Sequence, residues 1–426
     1  MHRVDGGGAR DQVTPQPPPY DSRQRPAPSR ASLRGLDWFV FFLADVQTGF
    51  GPFVSVYLTT QAWTQVDIGL VLTAGGLVAL IGQMPGGAIV DAARSERLVA
   101  ACGVIAISLS AIALAVWPIF LLVLLGRVLH AVASCVLGPA MAAISLGLVG
   151  HAGISERLAR NARFASIGTG LAAGVMGLLG HLTSSRAVFF ATAALIVPTL
   201  IALFQIRPGE IDPERAHGGK HDAGLRKLGG GLLMLAGNRP LLILAGCALL
   251  FHLGNAATLP LMGSLLTTRS GNLATALIAA CIVVPQLVVA VFAPWVGRKA
   301  EQWGRRPLLL LGFAALPVRA VLFAAVTDPY LIVAVQLLDG ISAAVLGVLV
   351  PLVVADATRG SGRFNLAQGI VGTAVGIGAS LSTTLAGYLS DYLGSGTAFL
   401  GLGALGFLGL VLVWAALPET RPQAIE

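Results

Sequence analysis

Charged residues are scarce in this chain. Only 11% of its 426 residues are Asp, Glu, Lys or Arg, whereas 55% are hydrophobic. Soluble globular domains carry about 25% charged residues, and so few charges cannot cover a folded surface in water. The scarcity therefore excludes an ordinary soluble domain. The charges that are present cluster between long apolar runs, which indicates a chain folded in lipid.

Several chemical signatures are also missing. No G-x-x-x-x-G-K-[S/T] loop is present, which argues against ATP hydrolysis, and neither a nucleophile elbow nor a zinc-binding helix pair occurs. The four cysteines lie inside apolar runs without a pairing pattern, so we predict neither a disulfide framework nor a metal site. The net charge of +8 comes without a basic stripe interleaved with aromatics, which excludes nucleic-acid binding. The sequence thus predicts a protein that is not an enzyme and that needs no cofactor.

Twelve apolar segments follow an N-terminal stretch rich in proline, glycine and arginine. Each is close to or longer than the ~20 residues that a helix needs to cross the hydrocarbon core, and a helix satisfies its own backbone hydrogen bonds in lipid. Numbered as segments 1 to 12, they span residues 37–59, 67–90, 98–117, 119–148, 164–183, 187–205, 240–266, 273–296, 307–326, 330–355, 365–388 and 396–417. The predicted fold is all-α, with twelve transmembrane helices.

Polar stretches divide the chain into five regions. Residues 1–34 cannot bury a core and are predicted to be a disordered tail. Residues 206–239, the longest polar gap, separate six-helix bundles at 35–205 and 240–417, and residues 418–426 form a second tail.

The basic residues predict how the segments are oriented. With the N-terminus inside, 24 of the 28 lysines and arginines fall on the side that holds both chain ends. The positive-inside rule therefore places both termini in the cytoplasm. Arginine outnumbers lysine 25 to 3, which suggests a GC-rich bacterial genome and hence a bacterial inner membrane.

The two halves repeat each other. Pro52 and Pro260 are 208 residues apart, and the sequence Val136-Leu137-Gly138 recurs 209 residues later as Val345-Leu346-Gly347. The loops after segments 2 and 8 align at an offset of 210 residues. Duplicated halves are typical of transporters, whose substrate site lies between the repeats near the middle of the membrane.

The loop after segment 8 carries a recognisable pattern. Residues 297–306 read GRKAEQWGRR, which resembles the signature G-x-x-x-[D/E]-x-x-G-[R/K]-[R/K] of the major facilitator superfamily. The matching positions are Gly297, Glu301, Gly304, Arg305 and Arg306. The glycines allow close helix packing and a tight turn.

The loop after segment 2 carries a partial copy of this signature. Gly87 and Asp91 match it, Arg94 replaces the second glycine, and Arg97 restores one basic charge. With both copies in corresponding places, residues 37–417 resemble a twelve-helix secondary transporter of the superfamily. The resemblance implies two pseudo-symmetric bundles that rock about a central site lined by segments 1, 4, 7 and 10. It also implies a gating role for Asp91 and Glu301.

Ionisable groups inside a bilayer are costly, so each is a functional candidate. The proton-coupling candidates are Asp45, His130, His252 and Asp339. The substrate-cavity candidates are Gln47, Arg127, Asn255, Gln286, Arg319 and Gln336. Asp45 has no basic neighbour on its own helix, which favours it as a proton carrier. Each histidine has a plainer alternative role as a hydrogen-bonded packing residue.

Arg319 and Asp339 lie at nearly equal depth in the hairpin of segments 9 and 10. Arg319 precedes the turn at Asp328 by nine residues and Asp339 follows Pro329 by ten, which places both about 14 Å from the turn. The spacing predicts an ion pair, either structural or functional. A paired Asp339 would remain charged and would carry protons poorly.

The direction of transport is open at this point. Arg127 belongs to a sequence similar to the R-x-x-x-G motif of proton-coupled drug exporters, with Ala131 in place of the glycine, and this favours proton-coupled efflux of a drug or metabolite. Segment 5 lacks the exporters' G-P pair, which favours a proton-coupled importer of a nutrient or metal chelate. A solute receptor without flux is the alternative of another class, supported by the incomplete first loop. The expected partners are a small-molecule substrate, protons and the lipid bilayer, and we expect a monomer.

Overall fold

Helices make up nearly all of the described chain. The computed structural model describes residues 27–48, 53–219, 235, 237–270 and 274–421. Most of the predicted N-terminal tail, the middle of the 206–239 linker and the last five residues lie outside this description. The helices run over Arg30–Thr48, Phe53–Thr60, Gln65–Ala92, Glu96–Val116, Phe120–Leu182, Ser185–Ala194, Ile196–Gln205, Pro213–Ala216, Arg239–Asn255, Thr258–Ser270, Ala274–Trp303, Arg305–Ala325, Pro329–Val335, Leu337–Ala357, Phe364–Leu393 and Ser395–Ala416.

The helices confirm the all-α prediction, and each predicted segment is mainly helical over its described residues. Within the described residues, ten helices are long and apolar enough to cross a membrane. One of them covers segments 4 and 5 together, and the described residues of segment 1 belong to the helices Arg30–Thr48 and Phe53–Thr60. The helices therefore agree with twelve crossings.

Segments 4 and 5 meet at Gly150 within one long helical stretch. Gly150 has a φ of 64°, a left-handed conformation that favours glycine, and the chain reverses there. Residues 149–163 lie between the predicted segments 4 and 5, yet they are helical apart from Gly150. Helix forms because the polar residues of this stretch are satisfied: Arg157 donates to Asn161 at 2.8 Å, and Asn161 donates to Ser145 at 2.8 Å.

Segment 1 also begins earlier than predicted. Its helix starts at Arg30, so the last residues of the predicted tail are helical. Ser29 donates through its backbone N–H and its hydroxyl to Glu210 at 2.9 and 3.0 Å. Burial opposes ionisation of Glu210, but hydrogen bonds from Ser29 and Ser32 and the nearby Arg207 lower its pKa. A carboxylate of the linker therefore fixes the start of segment 1 at neutral pH.

One apolar core lies within the first half and the linker, and a larger one joins the second half to residues of the first half. Segment 2 packs against segment 11, and segment 5 packs against segment 8. Large apolar side chains also cover the outer surface; Ile81 is 72% exposed and Val291 80% exposed. Such exposure suits lipid rather than water.

Segment 7 is interrupted near its middle. Its two helices end at Asn255 and restart at Thr258. The Ala257 N–H donates instead to the Ser382 hydroxyl of segment 11 at 3.0 Å. Interrupted helices at membrane depth are tolerated where protein groups satisfy the freed backbone, and in transporters they accompany binding sites.

Candidate functional site

Two adjoining cavities lie at the centre of the molecule. One, of about 350 Å³, is enclosed by segments 7, 10 and 11, and the other, of about 410 Å³, lies between the halves. They share Gly347 and Pro351 of segment 10 as lining residues. Polar groups on the walls are few: His252, Asn255 and Asp339 in the first cavity, and Gln83, Asn161 and Gln368 in the second. Mostly apolar walls with a few polar groups are typical of sites for small organic molecules.

The repeated glycines face this space. Gly138 and Gly347 occupy equivalent positions in the two halves and both line the cavity between the halves. A Cβ atom added at either position would have no neighbouring atom within 4 Å. The repeat therefore leaves open volume at the same depth in both halves.

Arg319 is the centre of a buried polar cluster beside the first cavity. Its side chain is 2% exposed. It donates to Asp339 and Asn255, to the Thr258 hydroxyl at 2.9 Å and to Gln336 at 3.4 Å. Three of the four predicted polar partners on segments 7 and 10 are thus gathered around one guanidinium group. The structure confirms the ion pair that the hairpin spacing predicted.

Asp339 connects this cluster to the cavity. Its side chain is 28% exposed and lines the first cavity together with His252. The His252 Nδ1 lies 2.9 Å from the backbone oxygen of Ala248, one turn earlier. That contact fixes the orientation of the ring, and His252 lines the cavity without using Nε2 in this contact.

Asp45 lies in the other half, between segments 1 and 5. It is 6% exposed, and a Cβ on Gly168 would come within 2.9 Å of its Oδ1. The absence of a side chain at Gly168 therefore makes room for the carboxyl group. Among the described residues, no hydrogen-bond donor reaches the buried Oδ1.

The remaining candidates lie in other surroundings. Gln286 accepts a hydrogen bond from Ser166 at 2.5 Å, so it joins segment 8 to segment 5. Arg127 packs beside Gly75 of segment 2, with Nε and Nη2 each 3.4 Å from where a Cβ would stand. His130 lies one turn further along the same helix, and Gln47 is exposed.

The two signature loops lie at one end of the molecule, which we call the signature face (residues 87–97 and 297–306). Asp91 there binds the first turn of segment 11. Its Oδ2 accepts from the Leu366 N–H at 2.8 Å, and its Oδ1 accepts from the Asn365 side-chain amide at 2.8 Å and backbone N–H at 3.2 Å. A carboxylate at a helix N-terminus is favoured by the helix dipole. Asp91 thus joins the first half to the second.

The first glycines of both signature loops lie where the halves approach closely. A Cβ on Gly87 would collide with the backbone oxygen of Asn365, and a Cβ on Gly297 would lie 2.5 Å from the Ala159 Cβ. The Ser155 hydroxyl also donates to the Gly297 oxygen at 2.6 Å. Segments 2 and 11, and segments 5 and 8, therefore meet backbone to backbone at this face.

The other residues of the second loop act within their own half. Glu301 is 46% exposed and pairs with Arg305 at 3.2 Å, and Arg305 also pairs with the buried Asp356 at 2.9 Å. Glu419 accepts from the Arg305 and Arg306 N–H groups at 2.9 and 3.1 Å. Gly304 has a φ of 90° at this turn.

The other residues of the first loop also remain within their half. Arg94 is exposed. The Arg97 guanidinium stands 5.3 Å from the centre of the Phe204 ring. Among the described contacts, neither Arg94 nor Arg97 takes part in the binding of Asp91 to the start of segment 11.

His217 of the linker is a site residue that the sequence did not indicate. Its side chain is 1% exposed, with Nδ1 3.6 Å from Asp91 and Nε2 3.3 Å from Glu96. Its backbone oxygen accepts from the Phe364 N–H at 3.1 Å. The linker therefore contacts both halves at the signature face. Its position in a polar gap, outside every apolar segment, gave no signal of burial.

Comparisons with known proteins agree with this architecture. A family model described as Major Facilitator Superfamily matches residues 38–284 and 244–426. An uncharacterized MFS-type transporter of Mycobacterium tuberculosis is 39% identical over 389 residues, covering 91% of this chain and 93% of that protein. The class B tetracycline resistance protein of Escherichia coli is 30% identical over 105 residues, 25% of this chain and 26% of that protein.

The fold itself is found in a solved transporter. The crystal structure of the E. coli fucose:proton symporter matches with a TM-score of 0.72 at 14% identity, over 91% of this chain and 98% of that one. Family model, full-length relative and fold therefore agree, and the chain is a membrane transporter of the Major Facilitator Superfamily.

Proposed function

We propose that this transporter exports a small organic solute in exchange for protons, by alternating access of the central cavity. In the proposed cycle, the halves rock about the cavity while Asp45, with His130 and His252, handles protons. Asp339 and Asn255 form the polar wall that meets the solute, and Arg319 with Gln336 supports them from behind this wall.

The observation that carries proton coupling is the environment of Asp45. A buried carboxylate without a cation or donor is strongly disfavoured in lipid. Its Oδ1 has no donor within the described part of the chain, and a bound proton would relieve this. Protonation can therefore alternate with the position of segment 1 against segment 5, which is what a coupling group requires.

Export is supported by sequence rather than by geometry. Arg127 stands in the exporter-like motif of segment 4, and one relative is a tetracycline resistance protein. Resistance to a compound is readily achieved by removing it from the cell. An importer of a nutrient or metal chelate is the alternative, because segment 5 has no proline near its glycines.

The signature face is the proposed cytoplasmic face in a bacterial inner membrane, with both termini inside and the protein acting as a monomer. In this orientation the five regions predicted from the sequence have defined roles. The bundles at 35–205 and 240–417 move, the 206–239 linker joins them, and the tails at 1–34 and 418–426 lie in the cytoplasm. Of the two signature carboxylates, Asp91 is the proposed gating residue, because its hydrogen bonds cross between the halves, whereas Glu301 pairs within the second half.

Substitution of Asp45 by asparagine tests proton coupling. Asparagine keeps the shape of the side chain but cannot exchange a proton, so we expect solute-driven proton movement to fall at least ~10-fold. The measurement uses proteoliposomes that contain a pH-sensitive dye, screened with pooled solutes. Addition of solute outside should make the lumen alkaline for an antiporter and acidic for a symporter.

Asp391→Asn is the matched control, because Asp391 is an exposed carboxyl near the end of the helix Phe364–Leu393. It should leave the proton flux within about twofold of the native value. Unchanged flux in the Asp45 variant would refute the coupling role. A solute that stabilises the protein against heat but moves neither itself nor protons would point to the receptor alternative.

Filling the cavity at Gly347 tests where the solute binds. Phenylalanine at this position would extend into open space, so we expect transport to fall at least ~10-fold with an unchanged melting temperature. Gly347→Ala should transport normally, because its Cβ meets no atom within 4 Å. Transport and thermal unfolding are measured on the same preparations.

The matched control is Gly387→Phe. Gly387 is exposed on segment 11, and a Cβ there also meets nothing within 4 Å. Normal transport by Gly347→Phe, or equal loss in Gly387→Phe, would remove the central cavity from the proposed solute path.

A further inference from the structure

A third pocket lies on the signature face, apart from the two central cavities. It has a volume of about 370 Å³ and lies between the starts of segments 1 and 5. Arg30 and Arg34 line one wall, one helical turn apart, and Arg157 and Arg160 line the other. The transport cycle proposed above uses none of these residues.

The charges of this pocket do not balance. Asp37 at its floor is fully engaged: it pairs with Arg157 at 2.5 Å and with Arg160 at 2.6 Å. Arg30 and Arg34 are exposed and form no salt bridge with another described residue. Glu156 is the other acid among the described residues of the walls. Counted over these residues, four arginines face two carboxylates, which leaves two positive charges.

Helix geometry adds to this positive potential. Segment 1 begins at Arg30, and segment 5 begins after Gly150. Both helices run in the same direction from this face, so the positive ends of both helix dipoles lie beside the pocket. Basic side chains and helix N-termini together form a favourable site for a phosphate group.

An aromatic surface continues from the pocket towards the centre of the membrane. Trp38 stacks on Phe42 with ring centres 5.9 Å apart and meets Phe164 of segment 5 edge-on at 6.1 Å. Trp38 is 48% exposed, and Arg160 lies over the Phe164 ring at 5.6 Å. Exposed tryptophan beside arginine is typical of the level of lipid headgroups.

We propose that this pocket binds the phosphate of an anionic phospholipid, with the acyl chains against the aromatic surface. Arg30, Arg34 and the exposed side of Arg160 bind the phosphate oxygens, and Trp38 contacts the first carbons of the chains. A basic pocket between transmembrane helices on one face is a recognised form of headgroup site. The aromatic surface favours a lipid over a soluble phosphate ester. The proposal does not depend on the solute or on the direction of transport.

The test measures binding to the full-length protein purified in a neutral detergent. Thermal stabilisation is titrated with phosphatidylglycerol, with phosphatidylcholine as the zwitterionic lipid and glycerol phosphate as the soluble headgroup. One variant combines Arg30→Gln with Arg34→Gln, and a second variant carries Trp38→Ala alone. Since all three side chains are exposed, the variants should fold. Arg298→Gln with Lys299→Gln is the matched control, because it removes two charges from the same face.

We expect phosphatidylglycerol to stabilise the native protein and phosphatidylcholine to have no effect. The paired arginine variant should bind phosphatidylglycerol ~10-fold more weakly or worse, Trp38→Ala should also bind it more weakly, and the control should bind normally. Equal binding by the arginine variant and the control, or no selective stabilisation at all, would overturn the proposal. Equal stabilisation by glycerol phosphate, unaffected by Trp38→Ala, would overturn the lipid assignment in favour of a soluble phosphate ester.

Discussion

Replacement of Arg319 by glutamine is expected to lower the stability of the protein and to abolish transport. Arg319 is 2% exposed and is the cation that neutralises Asp339. Without it, a carboxylate remains in a membrane interior with no countercharge. Removal of one partner from a buried pair costs about 3 to 5 kcal/mol. Thermal unfolding in detergent and solute flux in proteoliposomes measure the two effects.

A double variant separates the two roles that the sequence left open for this pair. Arg319→Gln combined with Asp339→Asn removes both charges, so most of the lost stability should return. Transport should not return, because Asp339 is 28% exposed and lines the cavity. If the double variant recovered both stability and transport, the pair would be purely structural. Arg298→Gln, which removes a charge from the surface, is the control for both measurements.

Substitution of Asp91 by asparagine is the second change with a large expected effect. The amide would present N–H groups to donors, so at least one hydrogen bond to the start of segment 11 would be lost together with the charge. Hydrogen bonds to a charged group contribute about 1.5 to 3 kcal/mol. We expect transport to fall at least ~10-fold while solute binding persists. Opening of the signature face is measured in a variant that lacks the native cysteines and carries Gly138→Cys. Gly138 lines the cavity between the halves, so its cysteine reacts with a maleimide when the face is open, and Asp91→Asn should increase this labelling.

Glu301→Gln is the matched variant for Asp91→Asn. The two carboxylates are equivalent in the repeat, but Glu301 is 46% exposed and its pairing with Arg305 stays within the second half. We therefore expect less than about a twofold effect on transport and no gain in labelling. Equal losses in both variants would show that the two loops act symmetrically, as the signature alone suggests.

The sequence predicted those features that lipid imposes on a chain. Segments of ~20 apolar residues must be helical because the bilayer offers no hydrogen bonds to a bare backbone, and each predicted segment is mainly helical over its described residues. The depth of Arg319 and Asp339 followed from helix rise alone. The signature glycines Gly87 and Gly297 were expected to allow close packing, and both lie where the halves touch.

Features at the signature face were less predictable. Residues 149–163 fall outside the predicted segments, yet Arg157 within them is buried against Asp37, 120 positions away in the sequence. His217 is likewise buried by carboxylates from distant positions. Burial of a polar residue depends on its partner, and pairing between distant charged residues is not visible in local composition. The equivalence of Asp91 and Glu301 in the repeat also gave no sign of their different contacts.

The distribution of ion pairs has a consequence for how fast the halves can exchange positions. Within the described part of the chain, every salt bridge lies inside one half, inside the linker, or between the linker and the first half. The contacts that cross between the halves are hydrogen bonds: those to the Asp91 carboxylate and neutral ones such as those of Ser155 and Ser166. The neutral hydrogen bonds are the weaker ones. Each contributes about 1 kcal/mol, and water replaces it once the face opens. The activation barrier for rocking therefore includes transfer of the Asp91 carboxylate from the N–H groups of segment 11 to water, but no ion pair formed by described residues of the two halves has to break.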